Sequence, residues 1–171
     1  MNKKLIVYGA IAGAITGLMM FITMPLYKSG TLNLDYGMII GFATMFIALS
    51  LVFFGVKNVR DNHLEGRISF LRAFGYGIVI AFTASLVYCV SWEICYHTIT
   101  IGFEETYSEM ILDNLKKEGV SDDLYQKTVI EMEEFKQMYK KPVLRFGMTL
   151  MEIFPIGIIF SLISAFILKK K

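Results

Sequence analysis

Four ionisable residues fall inside long apolar runs of the sequence. Glu93 and His97 are four residues apart in one run, and Arg145 and Glu152 are seven apart in the last run. Each pair therefore lies on one face of a helix. A charged side chain at the centre of a bilayer costs at least about 2.5 kcal/mol on insertion scales. Each of the four residues accordingly needs a partner or a purpose.

Depth along the helices separates these residues. Glu93 and Arg145 lie at about the same depth, within a turn or so of one end of their runs, and are predicted to form an ion pair. Glu152 lies near the middle of its run, with Pro155 about one turn beyond it, where a kink frees a carbonyl. Glu152 is the residue whose position most needs explaining.

Three interpretations of this polar cluster are open. In the functional one, Glu152 carries a proton or binds a cation, and Glu93, His97 and Arg145 tune it. In the structural one, Arg145 neutralises one or both glutamates and the cluster fixes helix packing. In the third, Glu152 is neutral and hydrogen-bonded to a hydroxyl such as that of Tyr88 or Thr149.

Enzymatic motifs are missing from the sequence. No HExxH, GxSxG, CxxC or phosphate-binding glycine loop occurs. A hydrolase built on Glu93 and His97 would lack a third orienting group or metal ligand. Cys89 and Cys95, six residues apart, face different sides of a helix and are expected to pack rather than react. We therefore expect no enzyme, no catalytic residue, no metal and no cofactor.

Composition predicts that lipid is the main solvent of the fold. Hydrophobic residues make up 55% of the chain, charged residues 19%, and the mean hydropathy is +0.54, outside the usual range of soluble domains. The formal net charge of +2 without a basic, aromatic-rich patch argues against a nucleic-acid partner. The apolar runs predict an all-α, polytopic bundle of four membrane helices, at about 5–27, 35–56, 73–97 and 143–168.

Charge at the span ends predicts orientation. Nine lysines and arginines flank one side, against Lys28 alone in the short loop on the other. By the positive-inside rule both termini are cytoplasmic. The nine residues are Lys3, Lys4, Lys57, Arg60, Arg67, Arg72, Lys169, Lys170 and Lys171.

Residues 103–141 are predicted to form an extracytoplasmic helical hairpin. Gly119 suits a helix end, and Ser121 is a good N-cap for a second helix. Each helix has one apolar stripe at helical spacing. The stripes could pack together, lie on the membrane surface, or meet a protein partner, and packing together is favoured. They comprise Tyr107, Ile111 and Leu115, then Tyr125, Val129, Met132, Phe135 and Tyr139.

Glycines at four-residue spacing predict close helix packing. Gly9, Gly13 and Gly17 mark one face of the first span, and Gly37 and Gly41 repeat the spacing in the second. Such series let helix backbones approach closely in membranes. One arrangement consistent with this spacing packs the first two spans through their glycine faces.

Several local strings carry a resemblance to a known family. They are Gly41-Phe42-Ala43, Ile47-Ala48-Leu49-Ser50, Ile68-Ser69-Phe70, Ala73-Phe74, Trp92-Glu93-Ile94 with Tyr96, Glu134-Phe135-Lys136, Arg145-Phe146, Met151-Glu152-Ile153-Phe154-Pro155 and Gly157-Ile158. With these strings the chain resembles the DUF4199 family, uncharacterised four-helix inner-membrane proteins of a type found in Bacteroidota. The resemblance implies this topology in a bacterial cytoplasmic membrane and implies no activity.

Two functional classes follow from these observations. The first is a structural or accessory envelope component that binds a protein partner through the outer hairpin. The alternative is a small proton- or cation-linked transporter, acting as a homo-oligomer through Glu93, His97, Arg145 and Glu152. A buried hairpin stripe would argue against docking, whereas a water-accessible cavity reaching Glu152 would favour transport.

Overall fold

The chain folds into seven α-helices. The computed structural model describes residues 2–32 and 34–170, and among these the only extended pairing is an antiparallel bridge between Ile68 and Lys170. The helices are α1 (Asn2–Lys28), α2 (Leu34–Leu49), α3 (Leu51–His63), α4 (Phe70–Thr98), α5 (Phe103–Glu118), α6 (Asp122–Tyr139) and α7 (Pro142–Leu168).

Four stretches are long and apolar enough to cross a bilayer. They are Lys3–Lys28, Tyr36–His63, Phe70–Thr98 and Pro142–Leu168. Large apolar side chains cover their outward surfaces; Ile47 is 70% exposed and Phe166 66%. A surface of this kind suits lipid rather than water. The fold is thus compatible with an integral membrane protein, as the composition predicts.

The second apolar stretch differs from its predicted extent. It consists of α2 and α3, separated only by Ser50, and stays helical to His63, whereas a loop was expected from Lys57. Val52, Val56 and Val59 are completely buried. This apolar face continues past the first charged residue, so packing holds the polar last turns in the helix.

Helix α4 packs most extensively, against α1 and α7. A Cβ atom added at Gly13 would lie 2.6 Å from the Ala84 carbonyl oxygen, and one at Gly9 would lie 2.6 Å from Thr83 Cβ. The glycine face of α1 therefore packs on the backbone of α4. The suggested pairing of this face with the second span is wrong, because four-residue spacing marks a close contact without identifying the partner helix.

The glycines of α2 have different surroundings. A Cβ at Gly37 would collide with the Tyr27 ring of α1, whereas one at Gly41 would meet nothing within 4 Å. A second close contact, between α4 and α7, was not predicted: Cβ atoms at Gly77 and Gly157 would each lie 2.7 Å from the facing helix, at Ser161 and Ala81. The two close seams both involve α4, and α2 belongs to neither.

Helices α5 and α6 meet at Gly119, whose φ of 67° is left-handed and favours glycine. The Ser121 hydroxyl caps α6 by accepting from the Leu124 amide at 3.4 Å. The Tyr107 and Phe135 rings lie 5.4 Å apart between the two helices. The apolar stripes thus face one another at this point, in keeping with the favoured arrangement.

The end of the molecule that holds the loop before α4 and the end of α7 is tied together through the backbone. Ile68 and Lys170 exchange two hydrogen bonds, of 3.1 and 3.0 Å. Arg60 also donates to the Leu168 carbonyl at 3.3 Å. These contacts join α3, the loop before α4, and the end of α7.

Candidate functional site

Arg145 and Glu93 form the ion pair that their equal depth predicts. Arg145 Nε donates to Glu93 Oε1 at 2.9 Å, and Nη2 donates to Oε2 at 2.7 Å. Only 1% of Arg145 is exposed. A bidentate pair fixes orientation as well as charge, so it locks α7 to α4.

Arg145 has two further contacts. Its Nη1 donates to the Tyr139 carbonyl at 3.0 Å, and Cζ lies 3.9 Å from the centre of the Tyr96 ring. The second contact is a close cation–π arrangement. Arg145 therefore joins α4, α6 and α7, and each of its three guanidinium nitrogens donates a hydrogen bond within this group.

Glu104 completes this network and was not singled out from the sequence. The Tyr96 hydroxyl donates to Glu104 Oε2 at 3.0 Å, although Glu104 is only 4% exposed. Glu104 lies in the first turn of α5, where the helix dipole favours a carboxylate. We call Glu93, Tyr96, Glu104, Tyr139 and Arg145 the Arg145 clamp.

Aromatic rings surround the Arg145 clamp. The Trp92 and Phe103 ring centres are 5.0 Å apart, and Phe135 and Tyr139 are 4.9 Å apart. Burial raises the pKa of Tyr139 well above its usual value, so its phenol is neutral. The contacts of Trp92 with Phe103 and Tyr139 fasten the α5–α6 segment to the end of α4.

His97 lies outside the clamp. Its side chain is 66% exposed, and Nε2 is 3.6 Å from Glu93 Oε2. This spacing allows an ion pair only when the imidazole is protonated. Of the four predicted site residues, three therefore lie together, near the C-terminal end of α4 and the N-terminal end of α7.

Glu152 is separate from the other three and faces a cavity of about 250 Å³. The walls come from α1, α2, the loop between α4 and α5, and the first half of α5, with one residue each from α4 and α7. The described lining residues are Thr16, Met20, Thr23, Met24, Tyr27, Lys28, Gly37, Met38, Gly41, Phe42, Thr44, Met45, Tyr88, Thr100, Ile101, Phe103, Thr106, Tyr107, Met110 and Glu152.

The cavity extends from the α5 end of the spans to the middle of the apolar region. Glu152 is ten residues from the start of α7, Tyr88 ten from the end of α4, and Thr16 twelve from the end of α1. At 1.5 Å per residue these positions are about 15 to 18 Å deep. Thr16 and Tyr88 are buried at this depth, whereas Glu152 is exposed, and we call these three residues the base of the cavity.

No described residue forms a hydrogen bond or ion pair with the Glu152 carboxyl. Arg145 is engaged by Glu93, and the Thr149 hydroxyl donates to the Arg145 carbonyl at 3.0 Å. Lys28, at the cavity mouth, donates to the Ile99 carbonyl at 3.3 Å. Neither neutralisation by Arg145 nor a bond to Thr149 or Tyr88 accounts for Glu152 in this arrangement.

The cavity walls were not anticipated from the sequence. Thr16, Met20 and Thr23 lie on one face of α1. In the sequence, however, nothing distinguishes them from the other residues of an apolar run. The threonine hydroxyls donate to carbonyls of their own helix, as in the 2.9 Å bond from Thr16 to Gly13. Threonines repeating at helical spacing inside a membrane span were the available signal.

Metal binding finds no support in the described part of the chain, where no three His, Cys, Asp or Glu residues lie close enough to hold an ion. Comparison with curated proteins and with solved structures gives no significant match. The family model described as "protein of unknown function (DUF4199)" matches residues 7–170, nearly the whole chain. The chain therefore belongs to the DUF4199 family.

Proposed function

We propose that this protein is a multi-pass protein of the bacterial cytoplasmic membrane with both termini in the cytoplasm. The support is the charge at one end of the molecule, where Arg60, Arg67 and Lys170 lie close to the bridge that joins Ile68 to the C-terminal end. In this orientation α5 and α6 form an extracytoplasmic hairpin above four bundled membrane helices, and the cavity opens on that side.

The function that we propose is proton- or cation-linked transport, with Glu152 as the carrier group. The observation that supports it is the cavity that leads from the outer ends of the spans to a carboxyl without a described partner. An ionised carboxyl at this depth needs a counter-charge. Since no described residue supplies one, the counter-charge comes from outside, as a proton or a cation.

The Arg145 clamp has a supporting role in this proposal. The charge of Arg145 is paired with Glu93, and the buried Glu104 accepts from the Tyr96 hydroxyl. The surrounding rings hold α5 over the cavity mouth through Phe103, which belongs to both the ring cluster and the cavity wall. Glu93 and Arg145 therefore position the outer wall, and no catalytic or carrier role is proposed for them or for His97. We also propose no enzymatic activity.

Transport further requires a homo-oligomer. Beyond the cavity base, Leu49, Ala84 and Ile153 are completely buried, and four helices leave little room for a second half-channel. A route from Glu152 to the cytoplasm therefore involves a second copy of the chain. Cross-linking in native membranes tests this requirement, and a monomer alone would contradict it.

An accessory role through the α5–α6 segment is the second candidate. Ile130 is 62% exposed and Leu124 47% exposed on α6, which leaves apolar side chains for a protein partner. The α6 stripe of Tyr125, Val129, Met132, Phe135 and Tyr139, however, is half-buried to buried, and a buried stripe argues against docking. The observations therefore rank this function second, although sequence reasoning placed it first.

Carbodiimide labelling tests the carrier role of Glu152. The reagent modifies protonated carboxyls, so we expect labelling of Glu152 in membranes that fades as pH rises. The other charged or titratable side chains lining the cavity are Tyr27 and Lys28 on α1, Tyr88 on α4 and Tyr107 on α5. Glu152→Gln should abolish labelling, and Glu93→Gln should leave it unchanged. If Glu152 is not labelled at any pH, the proposed carrier role of Glu152 is wrong.

A further inference from the structure

The chemistry of the cavity wall identifies the kind of cation that fits it. Of the described lining residues only Lys28 and Glu152 carry a formal charge, one at the mouth and one at the base. Between them the wall consists mainly of methionines, aromatic rings and a few threonines. The methionines and aromatic residues are Met20, Met24, Met38, Met45, Met110, Tyr27, Phe42, Tyr88, Phe103 and Tyr107.

Such a wall is unsuited to an inorganic cation. Hard cations take six or more oxygen ligands, and here one carboxyl lies among threonine hydroxyls that already donate to backbone carbonyls, as Thr44 does to Ile40 at 2.7 Å. Aromatic faces attract organic cations, and methionines adapt to irregular apolar shapes. The wall thus favours a ligand that is apolar over most of its surface and carries one positive charge.

Size limits this ligand further. A dry apolar cavity of about 150 Å³ accepts benzene, and this cavity measures about 250 Å³. One or two fused rings with a short ammonium arm would fill it. Lys28 at the mouth disfavours a second positive charge on the outer end of the ligand.

We propose that the cavity binds a monovalent, amphiphilic organic ammonium ion whose nitrogen pairs with Glu152 and whose rings lie among Met45, Tyr88 and Phe42. This inference rests on the proposed function, since it names the substrate class of the same site. It explains why a carboxyl without a described partner lies at the base of an otherwise apolar cavity.

Binding of a quaternary amine tests the proposal. The probe is naphthylmethyl-trimethylammonium, whose charge is fixed at all pH values, measured by equilibrium dialysis against the full chain in lipid nanodiscs. Its neutral isostere, with carbon in place of nitrogen, is the ligand control, and empty nanodiscs give the lipid background. We expect saturable binding of the cation and much weaker binding of the isostere.

Two variants locate the bound probe. Glu152→Gln should weaken binding about ten- to a hundredfold, as expected for loss of a charged partner. Gly41→Leu should also abolish binding, because a side chain there enters open space in the cavity without a clash. Gly75→Leu is the matched control: it also meets nothing within 4 Å, is exposed on α4 and lies outside the cavity.

The outcomes separate the two proposals. Equal binding of cation and isostere, or unchanged binding by both Glu152→Gln and Gly41→Leu, overturns the inference. Absence of cation binding while carbodiimide still labels Glu152 also overturns it, and leaves proton-linked transport standing. Absence of both signals overturns the substrate class and the proposed function together.

Discussion

Two acidic residues in the long apolar helices, Glu93 and Glu152, have opposite surroundings. Glu93 receives two hydrogen bonds from Arg145, within a network that joins the four helices α4, α5, α6 and α7. Glu152 faces a cavity and has no described partner. The first arrangement holds parts of the fold together, whereas the second leaves a charge requirement unmet. Whether a carboxyl in an apolar helix indicates function can therefore be judged only when its hydrogen-bond and ion-pair partners are known.

Removing Arg145 should break this contrast most severely. Arg145→Met leaves Glu93 without its counter-charge and should lower the free energy of unfolding by about 3 to 5 kcal/mol. Unfolding in mixed micelles with rising SDS fraction measures this loss. Arg67→Met, in an exposed loop, is the control, and the double variant with Glu93→Leu should recover much of the stability. A loss under about 1 kcal/mol, the usual worth of an exposed pair, would mean that the clamp is not structural.

Glycine substitutions compare the packed seam with the cavity wall. Gly13→Ala should lower the free energy of unfolding by up to about 3 kcal/mol, because its Cβ meets the backbone of α4. Gly41→Ala should instead raise it by about 1 kcal/mol through helix propensity alone. The same micelle titration compares the two variants. A rise in the free energy of unfolding for Gly13→Ala, as for Gly41→Ala, would show that α1 does not approach α4 as described.

Neutralising each glutamate in turn compares how much Glu93 and Glu152 contribute to stability. Glu93→Gln should lower the free energy of unfolding by about 2 kcal/mol, since it weakens charged hydrogen bonds. Glu152→Gln should change it by less than about 1 kcal/mol, because no described hydrogen bond is lost. Thermal unfolding of both variants in the same detergent checks this order, and a larger loss for Glu152→Gln would reveal a structural partner.

The smallest effect concerns ion pairs of the α5–α6 segment. Lys136 lies 3.4 Å from Glu105 and also contacts Glu133, and hydrogen bonds from Lys140 and Lys136 lower the pKa of Glu105 below its usual 4.5. A lowered carboxyl pKa stabilises the fold above pH 4.5, and this contribution disappears as the pH falls through the lowered value.

Hydrogen exchange of the α5 and α6 amides measures this pH dependence. Protection should fall as the pH drops below about 4.5, and Lys136→Met should reduce the change. Lys127→Met is the control because its partner Glu131, at 3.8 Å, is on the same helix. Identical pH profiles for wild type and Lys136→Met would show that the pairs between helices contribute nothing.

The sequence predicts the parts of the fold that depend on single helices. Run lengths indicate the four apolar spans, and counting from their ends predicts the contact of Glu93 with Arg145. The partner of the α1 glycine face could not be predicted, because spacing describes one surface only. The prediction of a loop from Lys57 was wrong although the sequence held the contrary signal. Val59 continues the apolar spacing of Val52 and Val56, which indicates a longer helix.

The site was less accessible from the sequence than the spans. The cavity exists because α5 begins over the ends of α1 and α2, which depends on three-dimensional placement. Glu104 looked like one of many acidic residues in a soluble segment, and only its contact with Tyr96 distinguishes it. The isolation of Glu152 could not be inferred either, since Arg145 lies on the same face of α7.

Ser50 divides the second span into two helices with different surroundings. Its hydroxyl donates to the Ile47 carbonyl at 2.6 Å, a bond that commonly bends helices. On one side, α3 is anchored in the core by Val52 and Val56; on the other, α2 supplies much of the cavity wall. A change of bend at Ser50 would shift the cavity-lining part of α2 relative to α3, and would thereby alter the width of the cavity.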